Sequence, residues 1–579
     1  MSMGAPYILR VNTGRSTWSK EPVPGEWVDW GGRGLTGHIL LQELDPTCEP
    51  LGPRNKIIMA PGLLGGTPAP CTGRLSVGTK SPLTGTIKEA NVGGTAAQKL
   101  ARLGIKAIVV EGSAAKEWVY LHVSREGVKF LPAGDLVGLG NYDVGTVLLA
   151  RHGKRSSVIS IGPAGERQYA SASIAVTNME GMPSRHAARG GPGAVLGSKH
   201  VKAIVVEDSG ADKVPLADED RFRELAKSFT KELVASKKVQ RQMGTANLVL
   251  TVNTLGCLPT KNFSLGSFSE AEKISGQRLR ELILQRKGKL GHACHPGCAI
   301  CCSNIFVDEE GSYITSGLEY ETIALTGSNL MISNLDTIAR IDRFCDDFGV
   351  DTIETGNALG VAMEAGLLSF GDDEGVLAFL ENEMWEDTVA GRLVAQGATT
   401  TGKVLGVKRV AAAKGQAIPA YDPRGLKGTG VTYATSPMGA DHTAGNVLPG
   451  RVGYRPETAK GTEPASPVGQ VPMSHDLQIL TAVCDVLGIC FFVGATAENM
   501  ELFSRFLSYA QGRPWTREEV IDLGVKTIYA EVEFNRRAGI GKEANRLPEF
   551  FMTEKLPPYD LAFDVPVEQL QGIWSAGGF

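Results

Sequence analysis

Two short segments share one pattern: residues 346–351 are Asp-Asp-Phe-Gly-Val-Asp, and residues 485–490 are Asp-Val-Leu-Gly-Ile-Cys. Each follows a run with helical spacing of apolar residues, so each predicts the end of a helix. The glycine lets the backbone approach a ligand closely, and the aspartate three residues earlier offers acceptors to that ligand. Two copies indicate two similar ligands or one pseudo-symmetric ligand. The alternative is coincidence, because this pattern is common where helices end.

The first part of the chain, up to residue 208, is β-rich. Short apolar runs predict strands at Ala107–Glu111, Val119–Val123, Val128–Leu131, Val158–Ile161 and Ala203–Glu207. The second and third of these flank a glycine turn and predict a hairpin. The first and last have the same sequence, Ala-Ile-Val-Val-Glu, but no tandem repeat is evident.

Helical patterns follow from residue 209 onward. Phe222, Leu225, Phe229 and Leu233 recur at helical spacing behind an acidic first turn, and helices predominate to about residue 412. Thr516-Arg-Glu-Glu519 is a capping box that predicts a helix to about Phe534. We therefore expect three domains, at residues 1–208, 209–415 and 416–579.

Composition limits the class of protein. The 579 residues include 71 glycines, about 12% of the chain, where about 7% is usual. No Gly-X-Y period exists, and 42% hydrophobic with 21% charged residues exclude collagen and disorder. A net charge of −4 gives no basic footprint for nucleic acid, and no apolar stretch is long enough for a membrane span. No signal peptide is apparent, so a cytoplasmic protein with glycine-rich ligand cradles is expected.

Four of the ten cysteines lie within nine residues, in Cys294-His-Pro-Gly-Cys298-Ala-Ile-Cys301-Cys302. Thiolates at this spacing on a Pro-Gly loop can converge on one metal centre, and clustered cysteines in a long chain without an export signal indicate metal or redox chemistry. A four-iron cluster needs four thiolates, one commonly remote in sequence. The remote candidates are Cys345, Cys484 and Cys490. A structural zinc site or inert buried thiols are the alternatives.

Further short motifs run through the chain in a fixed order. They are Gly31-Gly-Arg-Gly-Leu35, Thr72-Gly-Arg74, Lys80-Ser-Pro-Leu-Thr-Gly85, Asn91-Val-Gly-Gly94, Gly162-Pro-Ala-Gly-Glu166, Arg189-Gly-Gly-Pro-Gly193, Gly197-Ser-Lys199, Leu258-Pro-Thr-Lys-Asn262, Glu319-Tyr-Glu321, Asp422-Pro-Arg-Gly425 and Tyr433-Ala-Thr435. Together with the cysteine cluster and the two aspartate segments, they resemble the tungsten-containing aldehyde:ferredoxin oxidoreductase family almost end to end. Each motif alone is weak, whereas the ordered set is specific.

The resemblance implies an α+β multidomain fold, with an N-terminal β-rich domain of two sheets as the floor of the cofactor, followed by two mainly α-helical domains. It also implies tungsten, or molybdenum, held by two molybdopterin dithiolenes, and Mg²⁺ bridging the pterin phosphates. Glycine turns and arginines suit such phosphates because their N–H groups bind anions. The residues implied to contact this cofactor are Arg74, Asn91, Gly93, Gly94, Arg189, Gly190, Gly191, Asp346, Gly349, Asp351, Asp485, Gly488 and Ile489.

The resemblance also implies a [4Fe–4S] cluster beside one pterin. Its implied ligands are Cys294, Cys298, Cys302 and Cys490, with Cys301 as a substitute for Cys302. The spacing departs from the best-known members, whose first cysteine lies three residues before the second rather than four. Cys345 and Cys484 are then expected in the core.

The implied reaction is the oxidation of an aldehyde with water to a carboxylate. By resemblance, Glu321 takes a proton from the attacking water, with Glu319 as second choice, and His442 donates to the carbonyl oxygen. A helix-terminal acid pair and a core histidine are the structural alternatives. Tyr421 and Tyr433 are weaker candidates for hydrogen bonds in the pocket.

Electrons are implied to leave through the cluster to ferredoxin or to a small polyferredoxin-like subunit. The Glu-x-x-His pair that places an iron between subunits in some members is absent from this sequence, so a homodimer stays one open arrangement. Within the family, the alternative is a catalytic subunit that reduces an activated aromatic acid. Outside it, the alternative is a binding protein stabilised by zinc or an iron–sulfur cluster without redox turnover.

Overall fold

The apolar runs near the N-terminus form two six-stranded sheets in a computed structural model that describes residues 5–575. The first sheet has the spatial order β2-β1-β6-β3-β4-β5. Only β1 and β6 pair in parallel, and the other neighbours are antiparallel. Its strands are β1 (Tyr7–Asn12), β2 (Thr17–Pro22), β3 (Ile57–Pro61), β4 (Leu75–Lys80), β5 (Ile87–Val92) and β6 (Ile105–Glu111).

The second sheet repeats this topology. Its order is β8-β7-β12-β9-β10-β11, which is the first order with six added to every strand number. Its one parallel pair is β7 with β12, the equivalent of β1 with β6. The strands are β7 (Val119–Ser124), β8 (Gly127–Pro132), β9 (Ser157–Ser160), β10 (Ile174–Val176), β11 (Arg185–Ala187) and β12 (Val201–Val206).

Helices connect the strands at equivalent points of the two sheets. Helix α1 precedes β3 and helix α3 precedes β9. Helices α2 and α5 precede β6 and β12, the last strand of each sheet in chain order. The helices of this region are α1 (Gly32–Glu43), α2 (Ala96–Arg102), α3 (Asn141–His152), α4 (Pro163–Glu166) and α5 (Pro192–Gly197). The N-terminal third is therefore two copies of one unit.

The remainder of the chain is mainly helical, as expected. Its helices are α6 (Glu219–Ser236), α7 (Lys238–Met243), α8 (Leu248–Thr254), α9 (Gly276–Gln285), α10 (Tyr320–Thr326), α11 (Leu335–Phe348), α12 (Thr352–Glu364), α13 (Asp373–Phe379), α14 (Val389–Ala395), α15 (Ala398–Leu405), α16 (Lys427–Thr435), α17 (Gln470–Leu487), α18 (Ala497–Gln511), α19 (Arg517–Arg537), α20 (Phe550–Thr553) and α21 (Val567–Gly572).

Two helix starts follow the sequence closely. Asp218 caps α6 by accepting a hydrogen bond from the Arg221 amide, and Thr516 and Glu519 form the expected capping box of α19. The fold confirms a β-rich N-terminal domain of two sheets followed by a helical C-terminal region.

Short strands interrupt the helical region around the cysteine cluster. A three-stranded sheet brackets the cluster, made of β13 (Lys289–His292), β14 (Ser303–Val307) and β15 (Tyr313–Ser316), and a small ribbon follows, made of β16 (Ala412–Ala413) and β17 (Gln416–Ala417). These strands have two to five residues, too short for alternation to appear.

The first sheet shares one core cluster with the helical region, and the two sheets pack on each other through a second cluster. Phe222 of α6 packs edge-on against Phe506 of α18, with ring centroids 5.1 Å apart, so the start of the second expected domain packs on the third. Within residues 5–575, no helix combines the length and the low polarity that crossing a bilayer would require.

Candidate active site

Both aspartate segments end a long helix in the same geometry. Gly349 ends α11 and Gly488 ends α17, in the left-handed region with φ of 85° and 75°. In each, the amide after the glycine donates to a carbonyl five residues earlier, from Val350 to Cys345 (2.9 Å) and from Ile489 to Cys484 (2.8 Å). This is the Schellman arrangement. It leaves Asp346 and Asp485 in the last helical turn, where the helix dipole disfavours a negative charge.

Each helix end packs against a loop of a different sheet, and the two loops occupy equivalent positions in their sheets. Gly62 follows β3, and a Cβ there would lie 2.0 Å from the Gly488 amide nitrogen. Gly162 follows β9, and a Cβ there would lie 2.3 Å from the Phe348 carbonyl oxygen. Amide donors of each sheet complete the contact, from Arg74 to the Gly488 carbonyl (3.2 Å) and from Ser173 to the Gly349 carbonyl (2.8 Å). The floor is thus pseudo-symmetric.

Asp485 is held by a buried arginine. The Arg33 side chain is fully buried and donates two hydrogen bonds of 2.8 Å to Glu531, while its Nη1 lies 3.2 Å from Asp485 Oδ2. Asn91 Nδ2 lies 3.5 Å from the other carboxylate oxygen. Burial, together with the nearby Glu89 carboxylate, raises the pKa of Asp485, and Arg33 opposes that shift.

Asp346 is held by different groups. His186 Nε2 lies 3.1 Å from its Oδ1, and the Tyr142 hydroxyl donates to Oδ2 at 3.4 Å. The Arg343 guanidinium stacks on the Tyr142 ring, 3.3 Å from the ring centroid. The two segments therefore share a backbone geometry but not the chemistry around the carboxylate.

The predicted loop residues Arg74, Asn91, Gly93 and Gly94 lie together against the cysteine cluster. Arg74 Nε donates to the Asn91 side-chain oxygen. A Cβ on Gly93 would lie 3.3 Å from Arg74 Nη1 and 3.5 Å from the Cys294 sulfur. The Gly94 amide donates to the Cys294 carbonyl at 2.9 Å.

The predicted loop at residues 189–191 is occupied by contacts within the protein. Arg189 Nε lies 3.1 Å from Asp351 Oδ2, and Asp351 also caps α12 through the Ile353 amide. The other two guanidinium nitrogens donate to backbone carbonyls, at Ala440 (2.9 Å) and Ala417 (2.6 Å). The two glycines that follow are left-handed, with φ of 85° and 76° at Gly190 and Gly191.

The cysteine cluster is centred on Cys298. Its sulfur accepts a hydrogen bond from the Cys301 amide at 3.3 Å, and the neighbouring thiols of Cys294, Cys301 and Cys71 lower the pKa of Cys298. Cys302 and Cys490 lie close enough to interact electrostatically with each other and with Cys298. The four expected ligands and Cys301 are thus brought together. Cys345 and Cys484 are fully buried in the core.

Sequence reasoning missed three residues of this region. Cys71 has a buried thiol, and its position directly before the Thr72-Gly-Arg74 motif was the available signal. His295 offers a nitrogen in a group with Cys294 and Cys298 whose ligand atoms lie within 4.8 Å of one another. Arg185 is half-buried next to Cys294 and Asp346, and its buried Nε has no hydrogen-bond partner among the described residues.

Glu321 and His442 come together as predicted candidates. Glu321 Oε2 accepts a hydrogen bond from the Ala420 amide at 2.6 Å, and Oε1 lies 3.7 Å from His442 Nε2. Within residues 5–575, Glu321 Oε1, His442 Nδ1 and the Tyr433 hydroxyl are buried without a hydrogen-bond partner. Burial raises the pKa of Glu321. Unsatisfied buried groups of this kind are typical of a site completed by a ligand.

Glu319 and Tyr421, the other candidates, have different surroundings. Glu319 occupies the N-cap position of α10 without a capping hydrogen bond from its side chain, accepts from the Thr245 hydroxyl at 2.5 Å and lies near Cys302. Tyr421 is buried beside Glu321. Asp441, next to His442, pairs with Lys88 at 2.9 Å. Although burial opposes it, Lys88 and Arg189 lower the pKa of Asp441, so this carboxylate stays charged.

Comparison with known families covers nearly the whole chain. Residues 8–208 match the family model described as the N-terminal domain of aldehyde ferredoxin oxidoreductase, and residues 224–570 match the model of its domains 2 and 3. The chain belongs to the aldehyde ferredoxin oxidoreductase family. The family implies an oxidoreductase with a tungsten–pterin cofactor and an iron–sulfur cluster.

Three relatives, within and near the family, are similar in sequence to this chain. The tungsten-containing aldehyde ferredoxin oxidoreductase of Pyrococcus furiosus is 35% identical over 561 residues, covering 93% of this chain and 89% of that protein. The enzyme of the same name from Pyrococcus horikoshii is 35% identical over 577 residues, covering 95% and 92%. The WOR-like subunit of an aliphatic sulfonate oxidoreductase from P. furiosus is 29% identical over 477 residues, covering 74% and 72%.

A solved structure shows the same fold. It is the active-site complex BamBC of benzoyl coenzyme A reductase, with a TM-score of 0.79 at 18% identity, covering 94% of this chain and 90% of that chain.

Proposed function

We propose that this protein oxidises an aldehyde with water to the carboxylate at a tungsten or molybdenum centre held by two pterins. The observation that carries the proposal is the pair of Glu321 and His442: Glu321 Oε1 lies 3.7 Å from His442 Nε2, and Glu321 Oε1 and His442 Nδ1 have no hydrogen-bond partner among residues 5–575. It is supported by the identity of about a third to relatives named for this activity.

The two helix ends fit a two-fold set of ligands. Asp485 and Asp346 each present carboxylate oxygens beside a loop of one sheet, and the N–H groups of Arg74, Asn91 and the glycine turns are suited to phosphates. Arg185 Nε is an unpaired buried donor in the same region. The bound metal supplies a two-electron redox centre, and Mg²⁺ between the pterin phosphates belongs to the same proposal.

Glu321 acts as the base in this proposal. Because burial raises its pKa, the carboxylate is a stronger proton acceptor than an exposed glutamate, and it takes a proton from the attacking water at Oε1. His442, whose Nε2 lies 3.7 Å from that oxygen, donates to the substrate carbonyl as negative charge develops there. Tyr433 offers a further hydroxyl in the pocket.

The proposed cluster ligands are Cys294, Cys298, Cys302 and Cys490, with Cys301 in place of Cys302 as the alternative. Single alanine variants at Cys301 and Cys302 decide between the two: the variant of the true ligand loses iron, and the other keeps it. Electrons leave to ferredoxin or to an iron–sulfur partner subunit. All ten cysteines are free thiols, which fits the proposed cytoplasmic location.

Metal analysis of anaerobically purified protein tests the proposal. We expect about one tungsten or molybdenum and about four iron atoms per chain, and reduction of a dye by one or more members of an aldehyde panel. Zinc alone, without tungsten or molybdenum, would overturn the redox proposal in favour of a binding protein. Redox activity with an aromatic thioester but with no aldehyde would assign the chain to another reaction of the family.

A further inference from the structure

The chain segments beside the cysteine cluster contain no acidic residues, and the acidic group that meets them from elsewhere at His292 is Glu180, 2.8 Å from its Nε2. Four segments lie there, at residues 235–246, 290–307, 446–456 and 486–497, and none contains an aspartate or a glutamate. The chain as a whole has 63 acidic and 59 basic residues, so this region departs from the general balance. Its local charge is positive.

Four cations of these segments have no acidic partner. Among residues 5–575, ion pairs involve none of Lys237, Lys238, Arg241 and Arg451. Arg241 Nη2 donates to the Ala299 carbonyl, within the cysteine loop, at 2.8 Å. Burial, together with the neighbouring Arg451 guanidinium, lowers the pKa of Lys237, which also lies near Cys490 and Cys71. Lys237 and Arg241 therefore lie beside the thiols, and Arg451 lies beside Lys237.

Apolar groups lie between these cations, and the covering of the cluster is thin. The Arg451 guanidinium stands 5.6 Å from the centroid of the half-buried Phe491 ring. Val239 and Val452 are 50% and 37% exposed. The cluster thiols Cys298 and Cys301 are themselves only half-buried. An electron donor or acceptor seated here would lie close to the cluster.

We propose that this basic face, formed by Lys237, Lys238, Arg241, Arg451 and Phe491, is the docking surface for a small acidic ferredoxin-type electron carrier. The proposal rests on the function proposed above, which supplies two electrons per aldehyde. Each docked carrier accepts one electron from the cluster and leaves reduced, so two carriers are reduced for each aldehyde oxidised.

Charge complementarity favours this occupant over others. Unpaired cations on one face attract an acidic partner over long range and raise the rate of encounter, and they repel a basic partner. The exposed valines and Phe491 give the apolar contact that a short-lived complex needs at its centre, with the charges at its rim. Because the cations are exposed or half-buried, salt should weaken the interaction strongly.

Two charge reversals of equal size test the docking surface. The first is Lys238→Glu with Arg451→Glu, on the basic face. The matched control is Lys154→Glu with Arg155→Glu, an exposed pair in the turn before β9 that changes the net charge by the same amount. Lys238→Glu alone serves as a second variant, because Lys238 is exposed and its replacement leaves the packing intact.

The probe is a recombinant acidic [4Fe–4S] ferredoxin, measured at low and high salt. For the basic-face variants we expect the KM for ferredoxin to rise roughly tenfold or more at low salt, weaker binding to immobilised ferredoxin, and no loss in reduction of the dication benzyl viologen. The control should match the wild type.

An unchanged KM in the basic-face variants, or an equal rise in the control, would overturn the docking proposal while dye reduction still supports the redox function. Absence of tungsten, molybdenum and dye reduction would instead refute the proposed function itself.

Discussion

Removing the Arg33 guanidinium should destabilise the contact between the first sheet and the C-terminal helices. Arg33→Met would leave Glu531 and Asp485 buried without their cation, at a site where Arg33 makes two hydrogen bonds of 2.8 Å and an ion pair of 3.2 Å. Breaking a buried ion pair on one side costs about 3–5 kcal/mol. The matched control is Arg54→Met, which removes an exposed partner of Asp45 at 3.3 Å and should cost about 0–1 kcal/mol.

Native-state hydrogen exchange measures this effect locally. A loss of about 3–5 kcal/mol corresponds to exchange roughly 10²- to 5 × 10³-fold faster for amides of α1 and the part of α19 near Glu531. Amides of the second sheet, which does not touch Arg33, should change little. Equal effects of the two substitutions, or equal loss of protection in both sheets, would refute the reasoning.

The same variant has a pH dependence with a defined sign. Burial is the main cause of the raised pKa values of Asp485 and Glu89, and Arg33 lowers both. Without Arg33 both values rise further. A carboxyl group whose folded pKa is raised is most favourable when protonated, and stability is lost as the pH rises through that pKa. The destabilisation by Arg33→Met should therefore be larger at pH 8.5 than at pH 6.

Three further predictions concern single side chains. Glu321→Gln should lower kcat by about 10²- to 10⁴-fold with unchanged metal content, and full turnover with intact metals would exclude Glu321 as the base. Burial raises the pKa of Glu354 to about 7, so wild-type stability falls as the pH rises between about 4.5 and 7. The melting temperature of Glu354→Gln, measured relative to wild type, should therefore rise over that pH range. A difference that stays constant with pH would contradict this. Because the Cys71 thiol lies beside the Cys298 sulfur and can donate a hydrogen bond to it, Cys71→Ala should keep iron but lower the cluster midpoint potential in an EPR-monitored titration. Cys71→Ser should largely restore the potential, and equal potentials would refute that role.

Local patterns predicted those parts of the fold that local chemistry determines. Two helix starts follow from capping residues at Asp218 and Thr516. The glycine of each aspartate segment ends a helix because left-handed φ suits glycine. The helix-end interpretation describes the backbone of both segments. The ligand interpretation stays a proposal.

Long-range features were harder to predict. The two sheets have the same topology, yet the only sequence trace is the shared Ala-Ile-Val-Val-Glu, which forms part of β6 and lies at β12. The two sheets differ in their side chains but have the same strand order. Cys71 lies more than two hundred residues from Cys298, and only folding brings the two sulfurs together. The residues that line a pocket from separate helices leave no periodic signal.

The duplicated floor has a consequence for how the site can differ between its halves. A homodimer built on one such unit would place the same residue on both sides of its two-fold axis. Here both units belong to one chain, so Arg33 can face one aspartate while His186 and Tyr142 face the other. Because the two units are joined in one chain, the two proposed pterins can lie in different electrostatic surroundings. A mutation can change the groups around one aspartate without changing those around the other.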